Sequence, residues 1–162
     1  MSRLDSFIRR MQAQRSCLDA AAELIRDLPG PVLELGLGNG RTYDHLREIC
    51  PDRVIYVFDR QVAAHPDCIP PREHLFLGDF SETMPQAVAK LGATAALLHL
   101  DCGTGDEAAN RALVASLLPS LLQLARPGAV IVSDQAIEAP DFTSLPLPDD
   151  VKPGRYHLLR RR

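Results

Sequence analysis

Apolar residues recur along the chain in two rhythms. Between residues 3 and 27, Leu4, Phe7, Ile8, Met11, Leu18, Ala21, Ala22 and Ile25 return at three- and four-residue steps, with Arg9, Arg10, Arg15, Asp19, Glu23 and Arg26 largely between them. That spacing predicts an amphipathic helix, stopped by Pro29-Gly30-Pro31. Its second half, 17–27, is expected to cover one face of a sheet. Residues 3–14 are expected to lid a ligand site or to form a subunit contact.

Beyond residue 30 the second rhythm begins. Short apolar runs at 31–35, 53–58, 75–77, 95–100 and 129–133 read as buried strands. Helical stretches separate them at 41–50, at 81–91 with Gly92 as the stop, and at 106–125 with Asp106 as cap. Pro119 is expected to kink or break the last of these. Pro66, Pro70 and Pro71 allow only short helical turns before the third strand. Residues 138–154 carry Pro140, Pro146, Pro148 and Pro153 and are expected to form an irregular loop, followed by one last strand at Tyr156-His157-Leu158-Leu159. The alternation argues for an α/β fold: a doubly wound, mostly parallel sheet in three α/β/α layers. One domain, 1–162, is expected, with 1–28 as an N-terminal helical extension and a shortened C-terminal end.

The chemistry gathers where those strands end. Glu34 lies within the first strand, Asp59, Asp101 and Asp134 close the second, fourth and fifth, and Asp79 follows the third by one residue. Open parallel sheets bind ligands beyond the carboxyl ends of their strands. A buried carboxylate is costly unless it is partnered. Any one of these acids is explained by a cap or a turn; their shared edge is better explained by a polar ligand.

Between Glu34 and the second helix lies Leu35-Gly36-Leu37-Gly38-Asn39-Gly40-Arg41-Thr42. A dinucleotide fingerprint requires a third glycine where Arg41 stands, and no Gly-Lys-Ser/Thr follows. Glu34, two residues before the first glycine, is poorly suited to a pyrophosphate and well suited to a cationic ligand. Asp59, at the end of the adjacent strand, stands where a carboxylate accepts hydrogen bonds from ribose hydroxyls. Ribose, positive charge and no pyrophosphate together describe S-adenosylmethionine.

Composition narrows the setting without changing it. A net charge of −3 gives no general reason to expect nucleic acid or an anionic membrane surface as partner. The charged N-terminus and the lack of a long apolar run predict a cytoplasmic protein. Cys17, Cys50, Cys68 and Cys102 are scattered, which predicts free thiols. The terminal Arg160-Arg161-Arg162 has no aromatic cluster beside it and reads as a solvated end.

The run Val32 to Gly40 resembles the first motif of the class I S-adenosylmethionine-dependent methyltransferases. Asp59 is similar to that family's ribose acid, Gly78-Asp79-Phe80 to its third motif, Asp101 to its fourth, and Pro127 to Val132 to the turn into its fifth strand. The resemblance implies that Glu34 orients the methionine ammonium and that Gly36, Gly38 and Gly40 let the methionine and ribose approach. Leu35, Asn39, Thr42, Arg60 and Asp101 complete the implied cofactor set, with Asp59 on the ribose and Gly78, Asp79 and Phe80 at the adenine. For Phe80, plain core packing stands beside ring stacking.

Catalysis is expected at Asp101, whose strand end faces the cleft, and at Asp134, with His99 and Tyr43 the other candidate bases, on a small-molecule acceptor at oxygen or nitrogen; the short C-terminal region leaves walls for another subunit to supply, so a homo-oligomer is expected. A weaker resemblance to catechol- and macrocin-type O-methyltransferases implies a divalent metal, magnesium, between Asp101, Asp134 and Gln135. Thr104 stands where the catechol type has its lysine base, and Gln135 where an asparagine is usual. A non-catalytic S-adenosylmethionine sensor and a nucleotide-dependent oxidoreductase are the alternative readings.

Overall fold

A computed structural model describes residues 2–162. Seven strands form one sheet: β1 (Val32–Leu35), β2 (Ile55–Asp59), β3 (Leu75–Leu77), β4 (Ala95–Leu100), β5 (Ala125–Ser133), β6 (Phe142–Ser144) and β7 (His157–Arg161). Their order is β3-β2-β1-β4-β5-β7-β6. The first five run parallel, and β7 pairs antiparallel with both β5 and β6. The order reverses between β1 and β4, the place where such sheets open a crevice for a ligand.

Four helices cover the two faces: α1 (Arg3–Leu24), α2 (Arg41–Ile49), α3 (Phe80–Leu91) and α4 (Glu107–Leu124). Alternate strand residues feed each side. Val32, Val57, Leu97, Val130 and Leu158 pack beneath α1 and α2 with Leu18, Ala21 and Leu46. Leu33, Phe58, Leu98, Ile131 and Leu159 pack beneath α3 and α4 with Met84, Leu117 and Leu121. The three layers are those expected from the alternation. Among the described residues no helix is long and apolar enough to cross a membrane.

Several features differ from expectation, among them β5, which starts at Ala125 directly after α4 rather than at 129. α1 ends at Leu24, and Ile25 caps it, because the chain must turn into Pro29-Gly30-Pro31. Arg53 holds that turn by donating to the carbonyls of Ile25, Leu28 and Gly30 at 2.7–2.8 Å. α4 runs unbroken through Pro119. The proline-rich segment after β5 is not all loop. Its prolines prevent a helix but leave Phe142–Ser144 free to pair with β7, so a two-stranded hairpin completes the sheet and buries Phe142.

The sheet interior holds one charged pair. Glu34 of β1 and His99 of β4 are register partners, both fully buried, with the carboxylate 2.6 Å from imidazole Nδ1. Thr42, on the first turn of α2, donates its hydroxyl to the other Glu34 oxygen. Burial pushes the His99 imidazole down, but the carboxylate beside it outweighs that and holds its pKa above 6.5. The stability gained from the protonated imidazole is therefore fully present below pH 6.5 and is lost as pH rises through the folded value.

Breaking this pair leaves one buried polar group alone. Glu34→Leu should cost about 3–5 kcal/mol, a fall of roughly 2–4 °C in melting temperature for each kcal/mol. Glu34→Leu with His99→Leu should recover part of the loss, since a filled apolar site replaces the orphaned imidazole. Thermal denaturation of the two variants measures this; equal losses, or a single variant that melts like the wild type, would contradict it.

Candidate active site

The carboxyl edge of the sheet gathers the expected acids, each held differently. The turn after β1 is built around Gly36 and Gly38. A side chain at Gly36, φ 101°, would meet the carbonyl oxygen of Asp101 at 2.6 Å, so the turn packs directly on the exit of β4. Gly38, φ 52°, faces open space, which leaves its backbone approachable from the cleft.

Asp59 braces this turn. One of its oxygens accepts from Leu37 N–H at 2.8 Å and Gly38 N–H at 3.1 Å, and the other from Gln61 N–H at 3.3 Å. Glu34 lies beneath, its two oxygens engaged by Thr42 and His99. Leu35 is buried in the core on the α3–α4 side, so only its backbone reaches the edge. Asn39 is exposed beside Gly40, whose carbonyl starts α2.

Further along the edge, Asp79 caps α3 by accepting from Ser81 N–H at 2.9 Å, and Arg60 donates to it at 3.0 Å. The Ser81 backbone bond, helped by Arg60, holds its carboxyl below the usual range. Gly78, at φ 141°, turns the chain from β3 into this cap. Phe80 is half-buried, and with Arg60, Asp79, Met84 and Leu113 it lines a hollow of about 240 Å³. Part of its ring packs on the core and part faces the hollow.

The N-terminal half of α1 closes the other side. Arg10 donates to one Asp101 oxygen and Gln14 to the other, each at 2.8 Å. Phe7, Met11 and Gln14 line a hollow of about 210 Å³ together with Gly36 to Asn39 and Thr42. Residues 3–14 thus lie over the glycine turn, one of the two roles expected for them. Arg10 and Gln14 escape a sequence reading because a polar pair four residues apart on a helix is the ordinary pattern of a solvated face.

On the far side of the Arg10–Asp101 pair lies a hollow of about 410 Å³, lined by Arg10, Gly103, Thr104, Asp134, Gln135 and Arg155. Asp134 is half-buried there, and its Oδ1 has no hydrogen-bond partner among the described residues. Burial raises its pKa; the Gln135 amide opposes this, and Asp101 adds to it. Tyr156, immediately before β7, packs its ring over His99 with centroids 6.4 Å apart. Its hydroxyl and His99 Nε2 are likewise buried without partners. A further hollow, about 780 Å³, sits at the opposite edge among Pro29, Gly30, Arg53 and Thr94, away from the row of acids.

This arrangement does not fit magnesium. Both oxygens of Asp101 are taken, one of them by a guanidinium, and a second cation between Asp101 and Asp134 would repel it. Among the described residues no three His, Cys, Asp or Glu side chains converge as a ligand set.

A cationic ligand with a ribose fits the glycine turn better. Its backbone is open at Gly38 and Asp59 stands at its side. A family model described as S-adenosyl-L-methionine methyltransferase matches residues 1–161. A solved structure of an S-adenosyl-L-methionine methyl transferase from Silicibacter pomeroyi DSS-3 is 44% identical, with a TM-score of 0.94 over 100% of this chain and 99% of that one. The fibrillarin pre-rRNA processing protein of Methanococcus jannaschii shares the fold, with 12% identity and a TM-score of 0.53 over 83% of this chain and 66% of its own. No curated protein matches the chain significantly. The chain belongs to the S-adenosyl-L-methionine methyltransferase family, and it is an S-adenosylmethionine-dependent methyltransferase of class I.

Proposed function

We propose that the protein methylates oxygen or nitrogen of a small molecule seated in the hollow beside Asp134. The observation that carries this reading is the place of Asp134, a half-buried acid lining a hollow that adjoins the glycine turn across the Arg10–Asp101 pair. A carboxylate that holds its proton more tightly than usual is a better base when ionised.

In this reading the carboxyl edge is one continuous site. Gly36 to Gly40 lie along the methionine portion, Asp59 accepts from the ribose hydroxyls, and Asp79 and Phe80 flank the adenine. Glu34 acts from below the turn, through Thr42, rather than on the ligand itself. Bound S-adenosylmethionine supplies an activated methyl group on a sulfonium. The chain's own part is placement: Arg10 and Gln14 fix Asp101, α1 covers the turn against water, and the Asp134 carboxylate takes the acceptor's proton where the acceptor must lose one. The sensor and oxidoreductase alternatives give way to the family assignment.

A homo-oligomer is part of the proposal. Leu4, Phe7 and Ile8, on one side of α1, are 66%, 47% and 44% exposed, an apolar stripe suited to a second copy of the chain.

Asp59→Ala should weaken S-adenosylhomocysteine binding at least about tenfold by calorimetry; undiminished affinity in a folded variant would remove Asp59 from the ribose. Methyl transfer should fall as pH drops through an apparent pKa above the 3.8 of an ordinary aspartate, because Asp134 must be ionised to accept a proton. Asp134→Asn should abolish that acidic limb; an unchanged profile would contradict the role. Sedimentation of the wild type should show an oligomer that Leu4→Glu with Ile8→Glu converts to monomer, and a monomeric wild type would contradict the assembly.

A further inference from the structure

Resting on that reading, we infer that the acceptor carries an oxyanion, phosphate or carboxylate, remote from its methylated atom. The hollow holding Asp134 shares Arg155 as a wall with a second hollow of about 390 Å³. The second is lined by Arg9, Arg15, Lys152 and Arg155, with Asp150 as the one carboxylate. Among the described residues none of these four exposed cations makes an ion pair within 4.0 Å; what sets them apart from the other unpaired cations is that all four line one depression. Asp150 is turned aside, accepting from the Ser16 hydroxyl at 2.6 Å.

Four unpaired cations around one depression are out of keeping with a chain of net charge −3. Like charges held close cost free energy, and an anion removes that cost. The two hollows, about 410 and 390 Å³, are of small-ligand size. They present one polarity at each end: a base at Asp134 and cations at Arg155 and beyond. An acceptor spanning them has a neutral O–H or N–H at the first end and its negative group at the second. Among the remaining basic residues, Arg160 to Arg162 lie on β7 and at its end, with Arg161 paired to Asp141 at 2.9 Å and Arg162 bonded to Thr143 at 3.0 Å. They are not part of this rim. A polymer's phosphates are a less good match, because the basic patch is confined to α1 and residues 152–155 rather than extended along a groove.

The test uses inorganic phosphate as probe, titrated into the full-length protein at constant ionic strength with chloride as the balancing anion. Backbone amide resonances report the site, and S-adenosylhomocysteine affinity is measured by calorimetry on the same samples. Phosphate should shift the amides of residues 9–15 and 152–155 saturably. Lys152→Gln with Arg155→Gln should weaken it about tenfold while S-adenosylhomocysteine binds as to the wild type. Non-saturating shifts that chloride reproduces, or equal phosphate affinity in the double variant, would overturn the inference and leave the cofactor reading standing. Absence of S-adenosylhomocysteine binding to the wild type would overturn that reading and the inference with it. A short single-stranded RNA that binds the rim far more tightly than phosphate, with a steep salt dependence, would overturn the small-acceptor form.

Discussion

The buried contact between Glu34 and His99 is the constraint on which the site rests. A carboxylate with no exposed surface must be partnered, and the three groups that meet it belong to three elements. β1 supplies Glu34, β4 supplies His99, and α2 supplies the Thr42 hydroxyl. The pairing fixes how the turn between β1 and α2 leaves the sheet. Asp59 then draws the same turn toward β2 through two backbone N–H groups. A glycine turn braced from below and from the side arrives at a ligand already shaped, which reduces the ordering that binding must supply.

From that anchored turn the edge divides by charge. Toward β3 it carries Asp59, Asp79 and a half-buried aromatic ring. Toward β7 it carries Asp134, an unpartnered tyrosine hydroxyl and a rim of cations. The Arg10–Asp101 pair stands between the two, so α1 both separates and covers them. In the proposed reading this division gives the cofactor and the acceptor distinct electrostatic surroundings on one sheet edge.

Much of this was legible in the sequence because it depends on local patterning. Short apolar runs placed β1, β2, β4 and the second half of β5, and the Gly36 to Gly40 spacing excluded a pyrophosphate loop. Asp106 and Gly92 act as the cap and stop they look like. What could not be read is what depends on distant partners. Arg10 and Gln14 meet Asp101 across 91 and 87 residues, and nothing local distinguishes them from a solvated helix face. β6 hides among prolines because its pairing is decided by β7. The magnesium expectation rested on Asp101 being free, and only the fold brings a guanidinium to it. The buried partnership of Glu34 was also out of reach, since sequence does not show that His99 lies opposite it in the ladder.

In the proposed reading the turn from Gly36 to Gly40, with Asp59 beside it, cradles the cofactor. Amide chemical-shift mapping with S-adenosylhomocysteine probes that contact residue by residue. Saturable shifts are expected at residues 36–40, 59–61 and 78–80, and none of comparable size with NAD. Saturable binding that leaves those amides unmoved, or NAD shifting them in its place, would contradict it.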